Sequence, residues 1–243
     1  MDTFTLITGV TSGIGLNLAV RLSGDRNLIL VGRDEKKLDT VMKLVGIHHR
    51  ALKLVCDLDA DKRQVAAQLT SLIQKEGIQI EALVHCAGIS KVTPFRQADT
   101  DSIDTIFNVN VLSVMELIRP LLKKENKGAL KNIVLVSSLA SIRGEKGNAV
   151  YAASKGALNA LAISLAKELA PKVRVNSISP GTVQTPMTKK FLESEAGAAH
   201  LETYPLGVGY PEDITNLTCF LLSDAAKWIT GQNIVIDGGR SIY

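Results

Sequence analysis

The chain has 243 residues, of which 46% are hydrophobic and 21% are charged, and its formal net charge at pH 7 is +4. A chain of this length can bury a substantial core, as one domain or as two small ones. No apolar run approaches the ~18 residues that a membrane span needs. The mild positive charge is spread along the chain, which argues against a nucleic-acid-binding patch. We therefore expect a globular protein that binds neither nucleic acid nor a membrane.

The cysteines and histidines indicate neither a disulfide framework nor a metal site. Cys56, Cys86 and Cys219 are odd in number and show no Cys-x-x-Cys spacing, which favours reduced, buried thiols. The histidines show no metal-ligand spacing, so we expect no bound metal. The first residues enter a strand pattern without a basic leader or a cleavage-site signature. Together these features lead us to expect a cytoplasmic protein.

Short β-branched runs alternate with longer amphipathic segments along the chain. The runs that predict strands are 5–8, 27–31, 52–55, 82–84, 132–136, 173–178 and 233–236. The segments that predict helices are 14–24, 35–45, 60–76, 102–123, 152–169 and 211–223. Continuous apolar runs are typical of parallel strands buried on both faces, and repeated strand–helix order predicts right-handed crossovers. We predict an α/β fold with a doubly wound, Rossmann-type, seven-stranded parallel sheet and helices on both faces.

The turn after the first strand reads Thr-Gly-Val-Thr-Ser-Gly-Ile-Gly over residues 8–15. Glycines between a strand and a helix let the backbone approach a pyrophosphate, and the helix N-terminus supplies N–H donors. In isolation such a cluster indicates only a tight turn, but here it heads a βαβ unit. The turn therefore predicts a dinucleotide site with contacts from Gly9, Thr11, Ser12, Gly13, Ile14 and Gly15.

No linker, low-complexity tract or internal repeat divides the chain. We therefore predict that residues 1–243 form a single NAD(P)-binding domain of Rossmann type. The stretch of about 184–208 is polar and helix-prone without a following strand. We interpret this stretch as a mobile flap over a substrate pocket.

Tyr151 and Lys155 lie four residues apart in a helical segment, so they share one face of the helix. A free Tyr phenol has a pKa of about 10, and a nearby ammonium group favours the phenolate. The Tyr-x-x-x-Lys pattern also occurs on solvated helix faces. Next to a dinucleotide site, however, it predicts an acid/base pair.

The glycine turn and the Tyr151-x-x-x-Lys155 pair together resemble the short-chain dehydrogenase/reductase family in its compact single-domain form. The resemblance covers essentially the whole chain, and several other segments match the family in order. They are Cys56-Asp57-Leu58, Ala87-Gly88, Asn108-Val109-Asn110, Ser137-Ser138, the segment 179–185, Ile229-Thr230-Gly231-Gln232 and Asp237-Gly238-Gly239. The resemblance implies an enzyme that interconverts a carbonyl group and an alcohol by hydride transfer.

The resemblance places a catalytic tetrad on Asn110, Ser138, Tyr151 and Lys155. Tyr151 would exchange a proton with the substrate oxygen, and Ser138 would stabilise charge on that oxygen. Lys155 would lower the pKa of the phenol and hold the nicotinamide ribose, while Asn110 would hold a water that links Lys155 to solvent. Ser137 is a rival for the serine role, but Ser138 precedes Tyr151 by thirteen positions, as the family commonly shows. Alternatively, Ser138 only terminates a strand and Asn110 is a satisfied core amide.

The family also implies contacts to the adenine and to the nicotinamide. The remaining cofactor residues are Asp57, Leu58, Ala87, Gly88, Tyr151, Lys155, Pro180, Gly181, Val183 and Thr185. His85 and Cys86 stand where the family usually carries amides. We interpret His85 as a packed or locally hydrogen-bonded side chain rather than a pH-sensitive neighbour of the site.

The end of the second strand bears on the choice of cofactor. Gly32 stands where NAD-preferring members usually carry an acid, and Arg33 follows it. An acid suits a free ribose 2′-OH, whereas an Arg can offer a planar fork to a 2′-phosphate. Asp34 can reach the same region or pair with Arg33, and Arg33 can also be a solvated loop residue. We expect NADP(H) in preference to NAD(H).

The nearest general resemblance is to 3-oxoacyl-carrier-protein reductases, so the expected substrate is an acyl-thioester or another small-molecule carbonyl compound. The alternatives are a reductase of a sugar, steroid or other small carbonyl compound, and a non-catalytic NADP(H)-sensing protein. Basic residues near the expected entrance suit an acidic carrier protein and solvent equally; they are Arg143, Lys146, Lys189 and Lys190. Segment 152–169 resembles the family's dimer interface, which implies a homo-oligomer, either a dimer or a homotetramer.

Overall fold

The computed structural model describes residues 2–46, 48–59 and 62–242, with a seven-stranded sheet in which all neighbouring strands pair in parallel. The strands are β1 (Thr3–Thr8), β2 (Asn27–Gly32), β3 (Ala51–Val55), β4 (Gln79–His85), β5 (Asn132–Val136), β6 (Arg174–Pro180) and β7 (Asn233–Ile236). Their order across the sheet is β3-β2-β1-β4-β5-β6-β7. Strand order reverses between β1 and β4, and ligands bind open α/β sheets at such a switch point. The predicted fold class is confirmed.

Helices connect the strands. They are α1 (Gly13–Leu22), α2 (Glu35–Met42), α3 (Lys62–Glu76), α4 (Thr100–Phe107), α5 (Ser113–Leu121), α6 (Ala140–Arg143), α7 (Ala149–Leu169), α8 (Lys189–Leu192), α9 (Glu195–Leu201) and α10 (Pro211–Leu222). The start of the predicted helix 60–76 lies partly outside the described residues, at positions 60 and 61. The predicted helix 102–123 is interrupted, because a π-helix, Asn108–Leu112, joins α4 to α5. Such π-helical turns are frequent at functional sites.

Both faces of the sheet carry a helical layer and a hydrophobic core. Consecutive side chains of a strand point to opposite faces, and Leu6 and Ile7 of β1 accordingly belong to different core clusters. Ile7 shares its cluster with Leu18 of α1, while Leu6 shares its cluster with Leu69 of α3 and Leu158 of α7. Each of these side chains is fully buried or nearly so, which stabilises the fold by roughly 1.5–3 kcal/mol per residue. The sheet is thereby fixed between the two layers.

The described part of the chain has one helix, Ala149–Leu169, that is long and apolar enough to cross a membrane by length and composition. This helix, α7, packs on the sheet through Leu158, Ala162 and Ala166, which all belong to the hydrophobic core. Packing within the fold accounts for part of its apolar character, since 28% of its most apolar window is buried.

Segment 184–208 contains the short helices α8 and α9 and begins next to an isolated bridge between Val183 and Gly209. At this base, the Gln184 N–H donates to the Gly209 carbonyl at 2.9 Å, and the Gly209 N–H donates to the Thr182 carbonyl at 3.1 Å. Near the other end, the Leu206 N–H donates to the Gly238 carbonyl at 3.1 Å. Backbone bonds therefore hold the base of this segment, whereas its role as a flap stays a prediction.

Candidate functional site

A cleft of about 380 Å³ opens at the carboxyl ends of β1 to β4, at the switch point of the sheet. Most of the cofactor residues predicted from the sequence line it, namely Gly9, Thr11, Ser12, Gly13, Ile14, Gly15, Arg33, Asp57, Leu58, Ala87, Gly88 and Thr185. The cleft walls also include residues that the sequence analysis did not select; these are Val31, Gly32, Cys56, Asp59, Cys86, Ile89, Thr105, Val109 and Met187. The predicted residues Tyr151, Lys155, Pro180, Gly181 and Val183 lie outside this lining.

The glycine turn has the geometry of a cradle for an anion. Gly9 has a φ of +71°, and a Cβ there would lie 2.7 Å from the backbone N of Ala87, so no other residue fits without displacement. A Cβ on Gly15 would overlap the Gly9 carbonyl. Ser12, the N-cap of α1, makes no side-chain capping bond. The N–H groups at the start of α1 are therefore available to phosphate oxygens.

Arg33 stands at the rim of this cleft with an exposed side chain. Its neighbour Asp34 caps α2, because the Asp34 carboxylate accepts from the Lys37 N–H at 3.1 Å. A Cβ on Gly32 would lie 3.2 Å from the Leu38 side chain and 3.3 Å from that of Thr11, so an acid there would need both to move. The local structure therefore offers a cation, rather than a carboxylate, to a ribose substituent.

The candidate tetrad lies beyond the ends of β4 and β5, where α7 presents Tyr151 and Lys155. The ammonium of Lys155 lies 5.8 Å from the centroid of the Tyr151 ring and donates to the Val136 carbonyl at 2.8 Å. The Ser137 hydroxyl donates to the Lys155 carbonyl at 2.8 Å and serves to attach α7 to β5. Ser138, by contrast, acts on the Tyr151 phenol and lowers its pKa, while the Ser138 hydroxyl accepts from the Ala140 N–H at 3.2 Å. Of the two serines, Ser138 is therefore the one beside the phenol.

The ionisation of the pair differs from the expectation that Lys155 lowers the pKa of Tyr151. Burial raises the pKa of the phenol above its ordinary value, and the hydrogen bond with Ser138 only partly opposes this rise. Burial also lowers the pKa of Lys155 to about 8. The direction differs from the expectation because desolvation is the largest effect on both groups. The phenol therefore keeps its proton at neutral pH and is a proton donor.

Asn110 is fully buried in the π-helix, and its side-chain amide makes three hydrogen bonds. The amide donates to the Ile89 carbonyl at 3.0 Å and to the Ser154 hydroxyl at 2.9 Å, while its oxygen accepts from the Ile89 N–H at 2.8 Å. A Cβ on Gly88 would lie 3.1 Å from the Lys155 ammonium nitrogen and 3.5 Å from the Asn110 amide oxygen. Asn110, Gly88 and Lys155 are thus packed together, with Asn110 fixing the loop after β4.

His85 ends β4 and is fully buried. One ring nitrogen, Nε2, lies 3.2 Å from the Asn110 carbonyl, which can only accept, so Nε2 carries the proton. The other nitrogen, Nδ1, must then accept from the Thr8 hydroxyl at 2.9 Å, and that hydroxyl in turn accepts from the Ala87 N–H at 3.1 Å. His85 therefore links β1, β4 and the π-helix as a neutral ring, in agreement with the locally hydrogen-bonded interpretation.

The burial of His85 predicts a pH dependence of stability. Burial and the Lys155 charge lower the pKa of His85 to about 3, so the unfolded chain binds a proton below about pH 6.5 that the folded protein does not bind. Stability is therefore full above about pH 6.5 and falls with pH towards 3, by up to about 1.4 kcal/mol per unit.

His85→Gln can keep both hydrogen bonds without titrating, so it is the matched variant. We expect the free energy of unfolding in urea to fall between pH 7 and pH 5 by about 2 kcal/mol more in the wild type than in His85→Gln. Parallel pH profiles for the two proteins would contradict a buried neutral His85.

Two further features bear on chemistry at this site. Burial raises the pKa of the Cys86 thiol to about 12, so the side chain that replaces a family amide is an unreactive thiol. Among the residues that the structure describes, no group of three or more His, Cys, Asp or Glu side chains is placed to hold a metal ion.

Residues 9–241 match the family model described as enoyl-(acyl carrier protein) reductase. The 3-oxoacyl-[acyl-carrier-protein] reductase FabG of Thermotoga maritima is 34% identical over 244 residues, covering 98% of this chain and 97% of that protein. A cyclopentanol dehydrogenase of Comamonas sp. is 32% identical over 243 residues, covering 98% of this chain and 96% of that protein. The chain therefore belongs to the short-chain dehydrogenase/reductase family. It is an oxidoreductase that acts on ketone and alcohol groups.

Solved structures support the same assignment. A short-chain dehydrogenase/reductase from Mycobacterium ulcerans superposes with a TM-score of 0.90 at 30% identity, covering 99% of this chain and 90% of the other. A 4-hydroxyisoleucine dehydrogenase complexed with NADH gives 0.91 at 28% identity over the full length of both chains. ElxO with NADP bound gives 0.89 at 25% identity, again over both full lengths. Structural relatives thus hold either nicotinamide dinucleotide.

Proposed function

We propose that this protein is an NADP(H)-dependent reductase that interconverts a 3-oxoacyl group or another ketone and a secondary alcohol. The observation that carries the proposal is the Tyr151 ring beside Lys155, where Lys155 lies against Gly88 of a cleft that contains the glycine turn. The free Arg33 at the rim of the cleft supports NADP(H) over NAD(H).

The cleft residues fit the adenosine and pyrophosphate parts of such a cofactor, and residues beside the cleft would complete the nicotinamide end. The glycine turn and the start of α1 would hold the pyrophosphate, Arg33 the 2′-phosphate, and Asp57 with Leu58 the adenine. Lys155 would hold the nicotinamide ribose, and the segment after β6, with Val183 and Thr185, the carboxamide. When bound, the reduced nicotinamide supplies the hydride that a carbonyl carbon accepts.

In this reaction the cofactor supplies the hydride and the protein supplies the proton. Tyr151 donates its phenolic proton to the substrate oxygen, and Ser138 hydrogen-bonds the same oxygen as charge develops on it. Lys155, which remains largely cationic at neutral pH, stabilises the tyrosinate left behind. Asn110 bonds the backbone of Ile89, and the preceding Gly88 lies against the Lys155 ammonium, so Asn110 would help to position that ammonium.

The substrate class is best tested by comparing the turnover of thioesters with the turnover of free ketones. NADPH oxidation would be followed with acetoacetyl thioesters of coenzyme A and of acyl carrier protein, and with a panel of free ketones that includes cyclopentanone. We expect turnover of the thioesters at kcat/KM values at least tenfold above those of the free ketones. A protein that turns over free ketones but no thioester is a small-carbonyl reductase, which is the alternative, and the name of the Comamonas relative gives it a precedent.

A protein that binds NADPH and turns over no carbonyl compound would be a nucleotide sensor, and the proposed enzymatic function would then fail. All four tetrad positions carry the residue that the family uses. This favours an enzyme, because nucleotide binding alone does not require a buried Lys155 beside a phenol. We further propose that residues 1–243 form one NAD(P)-binding domain with segment 184–208 as its substrate flap. We also propose that the protein is a cytoplasmic homo-oligomer.

A further inference from the structure

Tyr204 lies at the end of segment 184–208 and is only 6% exposed, although it carries a hydroxyl. That hydroxyl bonds Thr182 twice: it accepts from the Thr182 N–H at 2.9 Å and donates to the Thr182 Oγ1 at 2.9 Å. Thr182 directly follows the Pro180-Gly181 pair at the end of β6. A flap side chain therefore holds both the backbone and the side chain of a residue outside the flap.

The ring of Tyr204 occupies the space next to Gly181. A Cβ on Gly181 would lie 2.9 Å from the Tyr204 Cε1 atom and 3.0 Å from Asp237, so the close approach depends on glycine. On its other side, the Arg240 guanidinium carbon lies 5.9 Å from the centroid of the same ring. Tyr204 is thus held between the end of β6 and the C-terminal segment, and its hydroxyl has a fixed position.

The hydrogen bonds continue from Thr182 into the flap. Thr182 Oγ1, which accepts from Tyr204, also forms a hydrogen bond of 3.0 Å with His200 Nε2. The His200 ring makes edge-to-face contacts with Phe191 and Tyr204, at centroid distances of 5.1 and 5.2 Å. Three flap side chains therefore form one cluster, and the cluster is attached to the end of β6 through Thr182.

The segment that starts at Thr182 is short and closely bonded. The Thr182 carbonyl accepts from the Gly209 N–H, and the Thr188 hydroxyl bonds Thr185 and the Val183 carbonyl. The Gln184 N–H donates to the Gly209 carbonyl at 2.9 Å, and the Thr185 N–H donates to the Thr188 hydroxyl at 3.1 Å. Loss of the hydroxyl would leave the Thr182 N–H without this acceptor and would free the start of the segment.

We propose that Tyr204 is a positioning residue that fixes segment 182–185 for the nicotinamide end of the cofactor and couples that segment to the flap. The inference rests on the proposed function, because it takes this segment as the carboxamide site. Tyr204 bonds Thr182, which belongs to the segment proposed for the carboxamide. Loss of the Tyr204 hydroxyl should therefore weaken binding of the nicotinamide end more than binding of the adenosine end.

The test compares NADPH with 2′,5′-ADP, which lacks the nicotinamide. Isothermal titration would give the Kd of each ligand for the wild type, Tyr204→Phe, Thr182→Val and Thr182→Ser. We expect Tyr204→Phe and Thr182→Val to weaken NADPH binding about tenfold, and 2′,5′-ADP binding less than about twofold. Thr182→Ser, which retains the hydroxyl, should bind both ligands as the wild type does. Tyr210→Phe is the matched control, since Tyr210 is 57% exposed.

Equal losses for both ligands, or no loss for either, would overturn the role of Tyr204. Circular dichroism and the melting temperature of each variant establish that it is folded, and Thr182→Val keeps the test available if Tyr204→Phe does not fold. The outcomes for the two proposals are separable. A wild type that binds NADPH but reduces no carbonyl compound refutes the proposed function, whereas an active wild type with an unaltered Tyr204→Phe variant refutes only the positioning role.

Discussion

Replacing Tyr151 with Phe is expected to lower kcat with the best carbonyl substrate by about 10²–10⁴, the range that a positioned general acid contributes. Burial holds the pKa of the phenol above its ordinary value, so the hydroxyl carries the proton that the product alcohol needs. Phe keeps the ring that packs near the Lys155 ammonium and removes only the oxygen. The change should therefore affect the chemical step and leave the fold intact.

Both turnover and NADPH binding are measured for this variant. Steady-state NADPH oxidation gives kcat, and protein fluorescence gives the Kd of NADPH, which should stay within about twofold of the wild-type value. Tyr210→Phe removes a hydroxyl from an exposed tyrosine and controls for nonspecific effects. A Tyr151→Phe protein with wild-type turnover would show that another group supplies the proton and would falsify the assignment of Tyr151.

The second large effect is expected on NADPH affinity, at Arg33 on the rim of the cleft. Arg33→Ala should weaken NADPH binding by about 10- to 100-fold and leave NADH binding unchanged, because an Arg–phosphate contact with charge-assisted hydrogen bonds contributes about 1.5–3 kcal/mol. Asp34 cannot take over recognition of the ribose, since its carboxylate caps α2. The loss should thus appear as reduced discrimination between the two cofactors rather than as a gain for NADH.

Controls can separate a specific phosphate contact from a general change in charge. Lys36→Ala removes an exposed cation three positions away and should leave the ratio of the two Kd values unchanged. Arg33→Lys keeps the charge but loses the planar fork, so its NADPH affinity should be intermediate. If Arg33→Ala weakens NADPH and NADH equally, the residue only attracts anions and the preference for NADP(H) has another origin.

The sheet could be predicted from the sequence because each strand is a continuous apolar run, and such runs occur where both faces are covered. The predicted strands 132–136 and 233–236 have the bounds of β5 and β7, and the other five differ by up to three residues at an end. The interruption of the predicted helix 102–123 could not be seen. It depends on the bonds of the Asn110 amide to the Ile89 backbone and to Ser154, which are distant in sequence.

The candidate site was predictable where short motifs carry it, as in the glycine turn and the Tyr151–Lys155 pair. The ionisation of that pair was not predictable. Spacing along a helix indicates that two side chains are neighbours, but burial decides the direction of the pKa shift. The role of Tyr204 could not be predicted from a local motif either, because its partner Thr182 is twenty-two positions away in the chain.

The way in which segment 184–208 is attached has a consequence for how this protein can change through evolution. Backbone hydrogen bonds at Gln184, Gly209 and Leu206 hold its base, and such bonds are the same for almost any side chain. Substitutions between those points, other than at Thr185, Met187 and Tyr204, can therefore reshape the proposed flap without disturbing these backbone bonds or the cofactor cleft. A lineage can in this way acquire a new substrate while it inherits the cofactor cleft unaltered, and family members named for substrates as different as an acyl carrier thioester and cyclopentanol fit that history.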